Sequence, residues 1–164
     1  MIRVAVLTIS DSSAAGLRAD TSGLKLQERV RTLGWTVSAT ALLPDERSLI
    51  AAKLRELCNA GENSVILTTG GTGVALRDVT PEATRDIIDR EILGLGELMR
   101  AESRKFTPNA SLSRALAGTR GRTLIVNLPG SPRGAVECFD AISKLIPHIV
   151  DLIEGRTEHP HVPN

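Results

Sequence analysis

Tyrosine is absent from this chain, and Trp35, Phe106 and Phe139 are its only other aromatic residues. A protein that binds single strands by stacking bases on aromatic rings needs more than that. A surplus of one charge is missing too: the net charge is +1, with no block of like charges. That argues against the broad basic footprint of a nucleic-acid binder. No apolar run approaches the ~20 residues of a membrane span, so no membrane partner is expected. The apolar start, Met1 to Ser10, lacks a basic leader and ends at Ser10-Asp11-Ser12. It reads as a strand and not as a signal peptide. The two cysteines, Cys58 and Cys138, lie far apart with no metal-type Cys/His spacing. They read as buried reduced thiols, which suits a cytoplasmic protein.

Familiar catalytic signatures are missing as well. There is no G-x-x-x-x-G-K-[ST] of a P-loop, no G-x-G-x-x-G opening the first helix and no G-x-S-x-G elbow. The three histidines, His148, His159 and His161, all fall late in the chain. His148 sits in an apolar helical pattern and reads as structural; the other two lie in a polar tail. A mechanism built on a histidine base therefore has little support.

What is present suits one domain over residues 1–155, followed by a tail over 156–164. Arg3 to Ile9 reads as a buried strand. Asp20 or Thr21 caps a helix to Leu33, with Leu24, Leu26, Val30 and Leu33 as its apolar stripe and Gly34 as its stop. Trp35 to Leu43 is a second strand, and Pro44-Asp45-Glu46 opens a helix carrying Ile50, Leu54 and Leu57. Asn63 to Thr69 is a third strand, buried on both faces. Helical pattern follows from Pro81 to Asp89 and from Gly94 to Phe106. The second of these turns Leu95, Leu98 and Met99 inward and Glu97, Arg100, Glu102, Arg104 and Lys105 to solvent. Ala110 to Ala117 reads as a short helix and Arg122 to Leu128 as a last buried strand. A helical stretch, Ala135 to Glu154, restarts near Pro147. Strand–helix alternation of this kind predicts an α/β, three-layer sandwich: a mostly parallel sheet with helices on both faces. The loops after the strands then meet at one edge, where open α/β sheets bind ligands.

One of those loops stands out. Thr68-Thr69-Gly70-Gly71-Thr72-Gly73 leaves a buried strand, Arg77-Asp78 follows, and Thr80-Pro81-Glu82 opens a helix with Thr80 as cap. Glycines let an anion approach main-chain N–H groups, an arginine adds charge, and a carboxylate can hold a phosphate-bound Mg²⁺. A kit of glycine amides, hydroxyls, carboxylates and arginine suits phosphoryl or nucleotidyl transfer, which is mostly positioning and charge neutralisation. An attacking phosphate is already anionic and needs no base. Each residue also has a plainer reading. GGTG can be a tight turn, Arg77-Asp78 a surface ion pair, Asp45 and Ser131 helix caps, Asp11 a turn residue and Ser113 a surface position.

The stretch Thr68–Gly73 with Arg77–Thr84 resembles the signature of the MogA/MoaB family of molybdenum-cofactor biosynthesis. Ser10-Asp11-Ser12 with Asp20-Thr21-Ser22-Gly23, Leu43-Pro44-Asp45-Glu46, Ser111-Leu112-Ser113-Arg114 and Asn127-Leu128-Pro129-Gly130-Ser131-Pro132 agree, in order, across nearly the whole chain. MogA and gephyrin-type G domains are especially similar. Val74-Ala75-Leu76 departs from the proline that many members carry before the arginine.

The resemblance implies adenylylation of molybdopterin by ATP with Mg²⁺, releasing pyrophosphate. It implies Asp78 and Asp45 as catalytic carboxylates that hold Mg²⁺ through the nucleotide phosphates. Thr69, Gly70, Gly71, Thr72, Gly73 and Arg77 would bind the nucleotide. Ser10, Asp11, Ser12, Ser113, Pro129, Gly130 and Ser131 would bind the pterin. It further implies a homotrimer and contact with a downstream molybdenum-insertion protein. The alternatives are a non-catalytic, pterin-binding MoaB-type paralogue or scaffold, and a related domain acting in metal insertion or nucleotide-pyrophosphate cleavage.

Overall fold

Three largely apolar runs, Arg3–Ile9, Val65–Thr69 and Thr123–Leu128, build the middle of the molecule. The computed structural model describes residues 1–156; His159, His161 and all but the first residue of the expected tail lie outside it. The elements run β1 (Arg3–Ile9), α1 (Asp11–Ala14), α2 (Thr21–Thr32), β2 (Thr36–Leu43), α3 (Arg47–Asn59), β3 (Val65–Thr69), α4 (Thr80–Arg85), β4 (Arg90–Glu91), α5 (Leu93–Ser103), a 3-10 turn (Pro108–Leu112), β5 (Ala117–Arg120), β6 (Thr123–Leu128), α6 (Pro132–Ser143) and α7 (Ile146–Ile153). The sheet order is β2-β1-β3-β6-β5-β4. β2, β1, β3 and β6 are parallel; β5 and β4 add on antiparallel.

Alternating strand residues feed two cores. Val4, Val6, Val65, Leu67, Leu124 and Val126 pack against residues of α2, α5, α6 and α7, among them Leu26, Met99, Phe139 and Ile146. Ala5, Leu7, Ile66 and Ile125 pack against Ile50 and Leu54 of α3 and Ala83 of α4. Apolar burial on both faces is what makes β1, β3 and β6 read as largely hydrophobic runs rather than as an alternating pattern. The register aligns Thr8 with Thr69, and Thr69 with Leu128. The carboxyl ends of β1, β3 and β6 are therefore level, and the chain segments that leave them are neighbours.

Several local expectations change in the folded chain. Leu24 is 61 % exposed, so the inner stripe of α2 is carried by Leu26 and Val30. Asp45 does not cap α3: the capping position is Glu46, with no side-chain cap bond. Thr80 does not cap α4 either; it is inside the helix and its hydroxyl donates to Gly70 O at 2.9 Å. Of the expected Ala110–Ala117 helix only Ala110–Leu112 is helical, as the end of the 3-10 turn; from Ser113 the chain is not helical. Its groups bond elsewhere: Arg114 N–H to Thr72 O, Ala115 O to Arg100, and Leu116 O to Asn127 N–H. β4 and β5, both short, have no counterpart among the strands expected from the sequence. Ser131 does cap α6, accepting from Gly134 N–H at 3.1 Å.

Candidate active site

Glycine is required at the start of the β3 loop for steric reasons. Gly70 has φ +104°, and a Cβ there would lie 2.1 Å from Ile9 O at the end of β1. Gly71 has φ +66°, and its Cβ would lie 2.3 Å from Thr80 Oγ1 and 3.1 Å from Asp45 Oδ1. The bend thus slides between β1, α4 and the β2 loop with no room for a side chain. Gly70 N–H donates to Leu128 O at 3.1 Å, so it is spent on the sheet. Among the described residues, no acceptor takes the N–H groups of Gly71, Thr72 and Gly73.

Two cavities open on either side of this bend. One, of about 460 Å³, is lined by Thr72, Gly73, Met99, Ser113, Pro129 and Cys138, and its walls are mainly apolar. The other, of about 470 Å³, is lined by Thr8, Ser10, Asp20, Asp45, Thr69 and Gly70, and is mainly polar. Gly71, Asp78, Gly130 and Ser131 face both. The wall between the cavities is therefore made by the loops after β3 and β6, with one carboxylate in it.

The residues singled out in the sequence divide across this wall. Ser10, Thr69, Gly70 and Asp45 line the polar side only. Thr72, Gly73, Ser113 and Pro129 line the apolar side only. Asp11, Ser12 and Arg77 line neither. Ser12 Oγ lies 3.1 Å from Ser10 Oγ. Arg77 forms a fork on Asp11, with Nε to Oδ2 at 2.9 Å and Nη2 to Oδ1 at 2.7 Å. Arg77 and Asp78 are adjacent in sequence but do not pair. Asp78 Oδ2 instead takes Ala75 N–H at 2.9 Å.

Asp11 and Asp45 form a reciprocal bracket. Asp11 N–H donates to Asp45 Oδ2 at 3.0 Å, and Asp45 N–H donates to Asp11 Oδ1 at 2.9 Å. The Arg77 guanidinium, with the Asp45 N–H, holds the Asp11 carboxyl below the usual range. Asp45 moves the other way. Burial pushes it up, and the negative charges of Asp11 and Asp78 add to this against the Asp11 N–H bond and Arg77.

The donor set fits a phosphate-borne cation. Among the described residues no group of three or more His, Cys, Asp or Glu side chains forms a metal centre. Asp45 and Asp78, however, both face the polar cavity. Mg²⁺ bound through phosphates needs only one or two carboxylates, with water and phosphate completing its octahedron. A carboxylate whose ionisation is opposed by burial and like charge, as in Asp45, gains from a nearby cation.

Other polar groups take on roles that local spacing does not reveal. Asp20 accepts Gly23 N–H at 2.8 Å, as a cap should, but it also takes the Thr8 hydroxyl at 2.9 Å and lines the polar cavity. Arg100, expected on a solvated face, is half-buried instead, donating to Ala115 O at 2.7 Å on the rim of the apolar cavity. The motif Ser111–Arg114 is the available signal for Arg114, which bonds main-chain carbonyls of the glycine loop. Cys58 and Cys138 are free thiols, and burial pushes both up. His148 is exposed on α7 and lines neither cavity. No helix among the described residues is long and apolar enough to cross a membrane.

Known proteins resemble this chain in sequence and fold. Residues 5–148 match the family described as "Probable molybdopterin binding domain". A molybdopterin adenylyltransferase of Helicobacter pylori J99 is 43 % identical over 156 residues, covering 94 % of this chain and 89 % of that protein. A molybdopterin adenylyltransferase of Escherichia coli K12 is 36 % identical over 174 residues, covering 94 % and 86 %. Among solved structures, the molybdopterin biosynthesis enzyme MoaB of Thermus thermophilus superposes with a TM-score of 0.89 at 48 % identity, covering 94 % of this chain and 98 % of that one.

Proposed function

The chain belongs to the MogA/MoaB family of probable molybdopterin-binding domains, and from that premise we propose that it adenylylates molybdopterin. A phosphate oxygen of molybdopterin attacks the α-phosphorus of ATP. The bond from that phosphorus to the β-phosphate bridging oxygen breaks, and pyrophosphate leaves with the electron pair. The relatives named for this activity support the reaction class.

The observation that carries the reading is Asp78 in the wall shared by two cavities of unlike character. The apolar one suits a bicyclic ring fixed by a few polar groups, here Ser113 and Ser131. The polar one suits a triphosphate. The N–H group of Gly71, which faces both cavities, and those of Thr72 and Gly73, which line the apolar one, have no acceptor among the described residues and would serve phosphate oxygens at the wall between the two sites. Asp45 and Asp78 would hold Mg²⁺, which when bound neutralises charge on the phosphates. Because the attacking phosphate is anionic, no protein base is needed, and among the described residues no histidine lines either cavity. The presence of both carboxylates favours turnover over passive pterin binding. The same reading takes the protein as a cytoplasmic homotrimer that hands its product to a molybdenum-insertion protein.

Incubation with molybdopterin and Mg-ATP tests this, with pyrophosphate and adenylylated pterin as readouts. Asp78→Asn is expected to abolish transfer while pterin affinity stays within a few-fold. Normal turnover in that variant would remove Asp78 from its role.

A further inference from the structure

Arg114 follows Ser113 and is half-buried behind the glycine loop. Its main-chain N–H donates to Thr72 O at 2.8 Å. Its guanidinium donates from Nε to Gly73 O at 2.7 Å and from Nη2 to Asp78 O at 2.6 Å, while Nη1 pairs with Glu82 on α4. Gly73 and Asp78 are the two ends of a protruding turn, residues 74–77, in which Val74 and Leu76 face solvent. One planar fork therefore joins the entry and the exit of that turn. Inside the turn, Asp78 Oδ2 takes Ala75 N–H at 2.9 Å and Asp78 N–H donates to Ala75 O at 3.0 Å.

The mount of Arg114 is itself held. Arg100 Nη1 donates to Ser113 O at 3.3 Å and to Ala115 O at 2.7 Å, gripping the chain on both sides of Arg114. Ser113 lines the apolar cavity and Asp78 stands in its wall. The segment that would meet the pterin thus also fixes the main chain of the wall carboxylate.

We infer that Arg114 is a positioning residue for Asp78, setting where that carboxylate stands between the two cavities; this rests on the adenylyl-transfer reading above. Lysine is a compact point charge and cannot serve three diverging acceptors as a planar fork does. A displacement near 1 Å at a reacting centre costs on the order of 100-fold in rate. The competing possibility is that Arg114 only anchors α4 through Glu82.

Arg114→Lys and Glu82→Gln separate the two. The glutamine keeps an acceptor for Nη1 and leaves the bonds to Gly73 O and Asp78 O intact. Arg114→Lys is expected to lower kcat roughly 10- to 100-fold, with KM for molybdopterin and Mg-ATP within about 3-fold, the pattern of a contact that matters only in the transition state. It should also speed amide hydrogen exchange across residues 74–78. Glu82→Gln should stay within about 3-fold of wild type in kcat and leave that exchange unchanged. Equal kcat losses in both variants, or unaltered exchange in Arg114→Lys, overturn the inference. Should the lysine variant not fold, Arg114→Gln is read by the same criteria. Wild-type protein that transfers no AMP would overturn the functional reading instead, and the exchange contrast would still decide the role of Arg114.

Discussion

Replacing Gly71 by alanine should weaken the fold by an amount set by two local terms. The residue sits at φ +66°, in the left-handed region that costs a non-glycine residue roughly 1–2 kcal/mol. Its new Cβ would stand 2.3 Å from Thr80 Oγ1. Thr80 is fully buried and its hydroxyl donates to Gly70 O at 2.9 Å. It can move aside only by giving up that bond, worth about 0.5–1.5 kcal/mol net. The expected destabilisation is about 2–3 kcal/mol, or about 5–10 °C in Tm for a chain of this size. Scanning calorimetry at pH 7 measures it. Thr80→Ala removes the obstructing oxygen, so the double variant should be less destabilised than the sum of the two singles by about 1 kcal/mol. A Gly71→Ala protein within ~0.5 kcal/mol of wild type, or strict additivity in the cycle, would refute the steric reasoning.

Other outcomes follow from the same groups. Burial first, and then Asp11 and Asp78, raise the Asp45 carboxyl, so its stabilising contribution is present below the unfolded pKa and lost as pH rises through the folded one. Ligand-free Asp45→Asn should therefore melt above wild type at pH 7, with the two curves converging below pH ~4. A lower Tm at neutral pH would count against this account. Asp11 has the opposite sign: Arg77 depresses it, so its contribution is present above the unfolded pKa and lost as pH falls through the folded one. Asp11→Asn should melt below wild type at pH 7 and match it in acid; a pH-independent gap would deny the Arg77 pair its part. ATP binding followed calorimetrically should weaken when EDTA removes Mg²⁺, and equal affinities would contradict the metal role given to Asp45 and Asp78.

Local chemistry explains what could be read without coordinates. β1, β3 and β6 are apolar because both sheet faces are covered, and that composition is visible in one dimension. The Ser131 cap depends on a neighbour three residues away, and the Gly70-Gly71 bend shows itself as paired glycines, although the groups that exclude a side chain there, Ile9 O, Thr80 and Asp45, lie on other elements. Convergence of the loops after β1, β3 and β6 follows from parallel alternation, so both cavities lie where the order of elements implied. β5 escaped notice because four residues with a glycine carry little strand signal, and its stability comes from pairing with β6.

The sequence by itself determined the layered α/β fold, the glycine bend and the membership of Asp45 and Asp78 in one neighbourhood. Only tertiary structure decided which partner each polar group takes. Asp11 and Asp45 are 34 residues apart, and Asp11 and Arg77 are 66 apart. Local spacing favoured a turn role for Asp11, a cap role for Asp45, a neighbouring ion pair for Arg77 and a cap on α4 for Thr80. The sheet register brought other acceptors and donors within 3 Å instead. Hydrogen bonds are short-ranged and directional, so a shift of one residue in strand pairing would have chosen different partners, and no local pattern encodes that choice.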